Sequence, residues 1–257
     1  MTAVFYLGTH ETSWLHRQDV NVPLFVSAVR LRKGRNGLRR RSTHRWALDS
    51  GGFTELGRHG GWTISPERYA EETHYWSTQI GSLDWAAPQD WMCEPSMLAE
   101  TGKTVAEHQS LTIENYLRLT ELGGPFIPVI QGWEFEDYHR HVDQYADAGI
   151  DLASSETVGV GSVCRRGQDD EITHILKSLA DRGIRCHGFG VRSRAFRRCE
   201  SFLASADSMA WSFNARKNPP LDGCTHKHCN NCERWALCWR DRQVVAPTVR
   251  TDEARGR

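Results

Sequence analysis

The strongest constraint on this chain is an alternation of short apolar runs with amphipathic helical segments, eight runs in all. Candidate strands lie at 4–7, 24–27, 46–48, 82–85, 126–130, 157–160, 186–189 and 208–211. Between them, Ser65-Pro66-Glu67-Arg68 supplies an N-cap, a proline at the first helical position and a first-turn acid. That run predicts a helix towards Ile80. A second helix is predicted over 104–122, with Ile113, Tyr116 and Leu117 on one face. Ile172, Ile175, Leu176 and Leu179 repeat the i, i+3, i+4, i+7 spacing, and Gly183 stops that helix. Weaker helices are expected at 134–148 and 194–204.

Strands alternating with helices in this number predict a (β/α)₈ TIM-like barrel, for which about 250 residues is typical. Special residues gather near candidate strand ends: Asp49-Ser50-Gly51-Gly52, Asp84, Gln131-Gly132, Gly159 to Ser162, Gly188 to Gly190 and Asp207. In such barrels the C-terminal strand ends form the active face. A doubly wound sheet is the rival, but no Gly-x-Gly-x-x-Gly follows the first run. The chain is expected to divide into a barrel over 1–222, a metal-binding element over 223–243 and a disordered tail over 244–257. No internal repeat is visible.

Hydrophobic residues make up 39%, enough to fill a core, which excludes a disordered chain. No apolar run approaches the roughly 18 residues that cross a bilayer. The opening Met-Thr-Ala-Val-Phe-Tyr-Leu-Gly has no basic leader or cleavable apolar segment, so a cytoplasmic protein is expected. Net charge is zero, yet eight Lys/Arg and no acid fall within Arg30 to Arg45, leaving the remainder at −8. Such a block self-repels and reads as a loop, with Gly34 and Gly37 helping. It is either a solvated loop or a phosphate-contacting one, and the missing counter-acids favour phosphate contact, with Arg39, Arg40 and Arg41 at its centre.

Asp49-Ser50-Gly51-Gly52-Phe53 is the most informative run. An acid and a hydroxyl leave a strand end, two glycines let a ligand approach the backbone, and Phe53 offers an aromatic face. A capped tight turn would look similar. Asp207-Ser208 is a second acid beside an apolar stretch, where solvation is restricted. Two carboxylates on one site can divide the work of nucleophile and acid/base. Alternatively, Asp207 caps a strand or pairs with Arg216. His10, Glu11, His187 and Arg192 are possible neighbours, each more often an ordinary residue.

Eight cysteines divide into scattered Cys93, Cys164, Cys186 and Cys199 and a cluster, Cys224-x₄-Cys229-x₂-Cys232-x₅-Cys238. In a cytoplasmic chain such a cluster reads as a metal site rather than a disulfide framework. Four thiolates would form a closed, structural zinc site. His226 or His228 could replace Cys238 or Cys224. An iron–sulfur cluster lacks a partner motif.

Several of these runs together resemble the tRNA-guanine transglycosylase superfamily. Leu48-Asp49-Ser50-Gly51-Gly52-Phe53 is similar to its Asp-Ser-Gly-Gly-Phe segment. Asp84-Trp85-Ala86-Ala87-Pro88 stands at its second-acid segment, though Trp-Ala-Ala replaces the usual acid and cysteine. Val129-Ile130-Gln131-Gly132 resembles its Val-x-Gln-Gly stretch, and Asp207-Ser208 through Asn214-Ala215-Arg216 its archaeal-type nucleophile segment. The likeness covers about residues 46 to 240. The opening Leu7-Gly8-Thr9-His10-Glu11-Thr12-Ser13-Trp14 and the compact length look most similar to the DpdA-type branch, found in phages and bacterial genome islands.

The resemblance implies exchange of guanine in DNA for a 7-deazaguanine base, of preQ0 type. Asp207 would be the nucleophile at C1′ and Asp49 the general acid/base. Asp84 would read the N1/N2 edge of the purine, Gln131 and the Gly161 backbone O6 and its neighbours, and Ser50 the base or phosphate edge. The partners implied are DNA and the free base, with no membrane. The same exchange on tRNA is the first alternative, and a non-catalytic zinc-containing nucleic-acid-binding module the second.

Overall fold

The computed structural model describes residues 3–34, 40–163, 169–191 and 193–244. The centre of the basic block (35–39), Arg192 and the tail beyond 244, which the sequence predicts to be disordered, lie outside the described residues. Two compact units form, Met1–Ala210 and Trp211–Arg257.

The first unit holds eight parallel strands: β1 (Val4–Thr9), β2 (Leu24–Ser27), β3 (Trp46–Asp49), β4 (Leu83–Ala86), β5 (Val129–Ile130), β6 (Val158–Val160), β7 (Cys186–Gly188) and β8 (Ser205–Ser208). Their order, β4-β3-β2-β1-β8-β7-β6-β5, follows the chain, with β1 against β8. A single parallel bridge, Ala86 to Phe126, ties β4 to the segment entering β5. The sheet curls into a TIM-like α/β fold. Its interior is packed by Tyr6, Ala47, Trp85 and Ile127, with Val4, Phe25 and Phe189 against them.

The helices with the clearest local signals form where those signals place them, whereas the helix expected over 194–204 ends at Cys199. In α3 (Pro66–Ile80) the Ser65 side chain accepts the Arg68 N–H. Thr104 and Glu107 form a reciprocal capping box for α5 (Val105–Leu122). In α7 (Asp169–Asp181), Ile172, Ile175, Leu176 and Leu179 are all buried, as the spacing predicts. The remaining helices of this unit are α1 (Ala28–Lys33), α2 (Gly52–His59), α4 (Pro95–Thr101), α6 (Phe135–Asp147) and α8 (Ser193–Cys199). Among the described residues no helix is long and apolar enough to cross a membrane.

The last predicted strand is displaced. Met209, Ala210 and Trp211 are not strand: β8 ends at Ser208 and α9 (Ala210–Arg216) begins at once. An apolar tripeptide suits a buried strand and a buried helix start equally, so periodicity could not separate them. Asp207 therefore lies within β8, in register with Tyr6 of β1, and not ahead of it. The second unit carries most of α9 and then α10 (Glu233–Val244).

Candidate active site

The C-terminal strand ends surround a cavity of about 370 Å³, within the span of small-molecule sites. Its walls carry Asp49 from β3, Asp207 from β8, and Asp90 and Glu94 from the segment after β4. Phe25, Met92 and Phe189 supply apolar surface.

Asp49 ends β3 and accepts the Gly51 N–H on Oδ1 at 3.2 Å. Gly51 makes that turn in the left-handed region, φ 87°, and a Cβ there would meet Val29 at 2.5 Å. Only glycine suits both demands. Burial raises the Asp49 pKa; bonds from Gly51 and Ser27 oppose the rise, and the Asp207 charge adds to it. That mutual influence places the two predicted carboxylates on one site. Asp207 is buried, and its Oδ1 accepts the Gly190 N–H at 2.9 Å.

Gln131, fully buried at the end of β5, ties the inner wall together. Its Nε2 donates to Asp90 Oδ2 at 2.5 Å, and its Oε1 accepts from Ser162 Oγ at 2.8 Å. Ser162 Oγ also lies 2.9 Å from Glu94 Oε2 and accepts the Cys93 N–H at 2.9 Å. One hydroxyl proton serves Gln131 or Glu94, not both at once. Ser162 sits at φ 55°, uncommon for a residue with a side chain, and these bonds hold it there. At Gly161 a Cβ would overlap Gln131 Nε2 at 2.2 Å, so glycine keeps the amide in place. Ser50 donates to Asp90 Oδ1 at 3.2 Å. Burial, then the Asp49 charge, push the Asp90 pKa up to about 7, against the pull of Gln131 and Ser50.

The expected residues thus divide. Asp49, Ser50, Phe53, Gln131, Gly161 and Asp207 all line the cavity. Phe53 stands exposed beside it. The Gly161 N–H is not available to a ligand, because it donates to Ile130 O at 2.9 Å. Asp84 does not line the cavity. It is the second residue of β4, near the N-terminal strand end, and its Oδ2 accepts from Tyr6 Oη and Arg45 Nε, each at 2.7 Å. Asp90, four residues beyond the end of β4, lines the cavity instead. The signal available was an acid just after Pro88.

The basic block also divides. Arg30 and Lys33 on α1, with Arg58 on α2, line the cavity. Among the described residues these three side chains make no ion pair. Arg32 instead binds Glu72, and Arg45 binds Asp84. Arg40 and Arg41 are exposed away from the cavity. Ser42 N–H donates to Ile80 O, and a Cβ at Gly81 would meet Arg41 Nη1 at 3.1 Å, so this segment runs beside the N-terminal approach to β4. Arg39 lies outside the described residues.

The sequence profile of the family described as DpdA, DeoxyPurine in DNA protein A, matches residues 1–255. The chain belongs to the DpdA family. It is thereby a member of the DpdA-type branch of the tRNA-guanine transglycosylase superfamily, a transglycosylase type that modifies DNA. No curated protein matches it. A solved chain from Coccidioides immitis, assigned as a fructose-1,6-biphosphate aldolase, matches with a TM-score of 0.52 at 9% identity, over 95% of this chain and 89% of that one. At that identity the likeness speaks to fold alone.

This DpdA-family chain has a second cluster, in its second unit. Cys224, His226, Cys229 and Cys232 each offer a ligand atom, all within 4.8 Å of one another, a set able to hold a metal ion. His226 Nε2 lies 3.0 Å from Cys229 Sγ. Leu221 N–H donates to Cys229 Sγ at 3.4 Å, and Arg234 points Nη1 at Cys224 Sγ at 3.9 Å. Donors aimed at sulfur fit thiolate ligands. The expected fourth ligand, Cys238, is not part of the cluster. Helix α10 starts at Glu233 and leaves Cys238 exposed, so His226 completes the set.

Proposed function

We propose that this protein exchanges guanine in DNA for a 7-deazaguanine base of preQ0 type through a glycosyl ester on Asp207. The observation that carries this reading is the convergence of Asp49, Asp90 and Asp207 on one cavity in a DpdA-family chain. An Asp207 carboxylate oxygen attacks C1′ of the target nucleotide. The C1′–N9 bond breaks, and its electron pair leaves with the guanine, which takes a proton from Asp49. An incoming base then gives its N9 proton to Asp49 and attacks C1′, and Asp207 departs with its electron pair. Two displacements retain the configuration at C1′.

Asp90 takes the base-reading role expected of Asp84. Ionised, it accepts from the N1–H and N2–H of guanine, and the second N–H of Gln131 is left for O6. Arg30, Lys33 and Arg58 neutralise phosphates beside the flipped nucleotide. Extruding that nucleotide from a duplex costs a few kcal/mol. The Cys₃His cluster holds zinc, closed by protein ligands on all four sides and therefore structural.

The test is covalent capture. Wild-type protein incubated with labelled guanine-containing DNA should form an adduct that an added 7-deazaguanine base discharges into modified DNA, read by nucleoside mass spectrometry. Asp207→Asn should form none while folding normally. An adduct on Asp207→Asn, or modified tRNA with unmodified DNA, would overturn the reading.

A further inference from the structure

Behind Asp207, inside the barrel, His187 is fully buried on β7. Strand register puts it directly beside Ser205 of β8. Ser205 and Asp207 are two apart on β8, so their side chains share a face. His187 Nδ1 lies 2.8 Å from Ser205 Oγ, and Nε2 lies 3.3 Å from Asp207 Oδ1. Nε2 has no hydrogen-bond partner in satisfied geometry, although the ring is enclosed by Trp85 at 4.6 Å, Phe189 at 4.8 Å, Phe25 at 5.8 Å and Tyr6 at 6.0 Å.

A buried N–H without a partner is costly, and four aromatic walls offer it nothing but the nucleophile. Ser205 is itself buried, so its hydroxyl proton needs an acceptor, and Nδ1 is the one at hand. Donation from Ser205 to Nδ1 puts the imidazole proton on Nε2, facing Asp207. The opposite tautomer would set a nitrogen lone pair against a carboxylate oxygen. Gly190 N–H already holds the same Oδ1. Among the described residues nothing is bonded to Oδ2.

We infer that His187, its tautomer set by Ser205, is a positioning residue for Asp207. With Gly190 it fixes Oδ1 and leaves Oδ2 as the attacking oxygen. In the glycosyl ester Oδ1 becomes the carbonyl oxygen, and the same two donors stabilise the charge that returns to it when the incoming base displaces Asp207. The long resting contact shortens as charge shifts, as catalytic hydrogen bonds do on forming the reactive complex. His187 exchanges no proton with substrate. The inference rests on the proposed role of Asp207.

Single-turnover adduct formation on a labelled guanine-containing oligonucleotide, with the full chain, tests it. His187→Phe keeps a ring and removes the donor; the adduct rate should fall about 10²-fold, the scale for one lost positioned donor. DNA affinity should change less than twofold. His187→Gln returns an N–H near the position of Nε2 and should recover at least tenfold. Ser205→Ala should slow the step by a smaller factor, and ¹⁵N NMR of the wild-type imidazole should show the neutral tautomer protonated at Nε2. A wild-type rate in His187→Phe, equal loss in the Phe and Gln variants, or a proton on Nδ1 would overturn the inference. If His187→Phe fails to fold, Ser205→Ala and the tautomer decide. Asp207→Asn separates the two questions: an adduct there sinks the proposed chemistry, whereas its loss beside a normal His187→Phe sinks only the positioning role.

Discussion

Gln131 donates from Nε2 to Oδ2 of Asp90 across 2.5 Å, both groups buried, while its other amide atom accepts from Ser162. The amide thereby spans from the wall after β4 to the end of β6. Gln131→Leu would leave Oδ2 of the buried Asp90 without its donor, whereas the Ser162 hydroxyl keeps Glu94 as an acceptor. Unfolding free energy should fall by about 1–3 kcal/mol for the one group left unsatisfied. Asp90 would also lose a bond that favours its charged form. Denaturant unfolding and adduct formation measure the two effects, and adduct formation should drop more than tenfold.

Asp90 gives a pH dependence of known sign. Its folded-state pKa of about 7 stands above the ordinary 3.8. Between those values the folded chain holds a proton that the unfolded chain has released, so stability falls as pH rises through the window. Below 3.8 none of this stability is lost, and above 7 the loss is complete. Asp49, also raised, adds in the same direction. From about pH 5 to about pH 8 the Asp90 contribution is roughly 2–3 kcal/mol. Asp90→Asn should flatten that part of the profile, whatever its absolute stability. In adduct formation the Asp90 dependence runs the other way, rising through about pH 7 as the carboxylate becomes able to accept from guanine, and it is opposed as rising pH removes the proton that Asp49 must give to the leaving base.

Zinc binding should follow the Cys₃His set. Cys229→Ser, Cys232→Ser and His226→Ala should lose metal on elemental analysis and unfold at lower temperature. Structural zinc is worth on the order of 10–16 kcal/mol in small peptides, so such losses are seldom mild. Cys238→Ser should keep one zinc per chain. Zinc retained in Cys229→Ser would refute the assignment.

The TIM-like α/β fold was legible because helix caps and strand runs agree, as at Ser65, Thr104 and β1 to β4. The cavity lining was legible where an acid ends or nearly ends its strand, as at Asp49 and Asp207. Asp84 misled because a four-residue strand gives no sign of which end a charged residue occupies. In the structure it is near the start, paired with Tyr6 and Arg45, and the cavity face belongs to Asp90. Glu94 was missed, and Ser162 stood out only as the end of a glycine-containing run, because their meeting depends on contacts between residues 68 apart. Cys238 misled for a simpler reason: ligand spacing does not reveal where a helix begins.

The last prediction separates two halves of the basic block. Phosphate contacts release counterions, and each neutralised phosphate adds roughly 0.9 to the slope of log affinity against log salt on duplex DNA. Arg30 and Lys33 line the cavity without ion pairs among the described residues, on the helix that follows β2 at the C-terminal strand ends. Arg40 and Arg41 precede β3, and Arg41 lies beside Gly81 at the other end of the strands. DNA whose nucleotide enters the cavity reaches the first pair and not the second. Arg30→Ala with Lys33→Ala should therefore weaken binding and lower the slope by about 2, one phosphate for each. Arg40→Ala with Arg41→Ala should leave affinity and slope unchanged. Neither pair should alter which base is exchanged, since phosphate contacts position the strand without reading sequence. Fluorescence anisotropy over a salt series gives both slopes. The reverse result, a flattened slope only on losing Arg40 and Arg41, would put the DNA track at the N-terminal ends of the strands and detach it from the cavity.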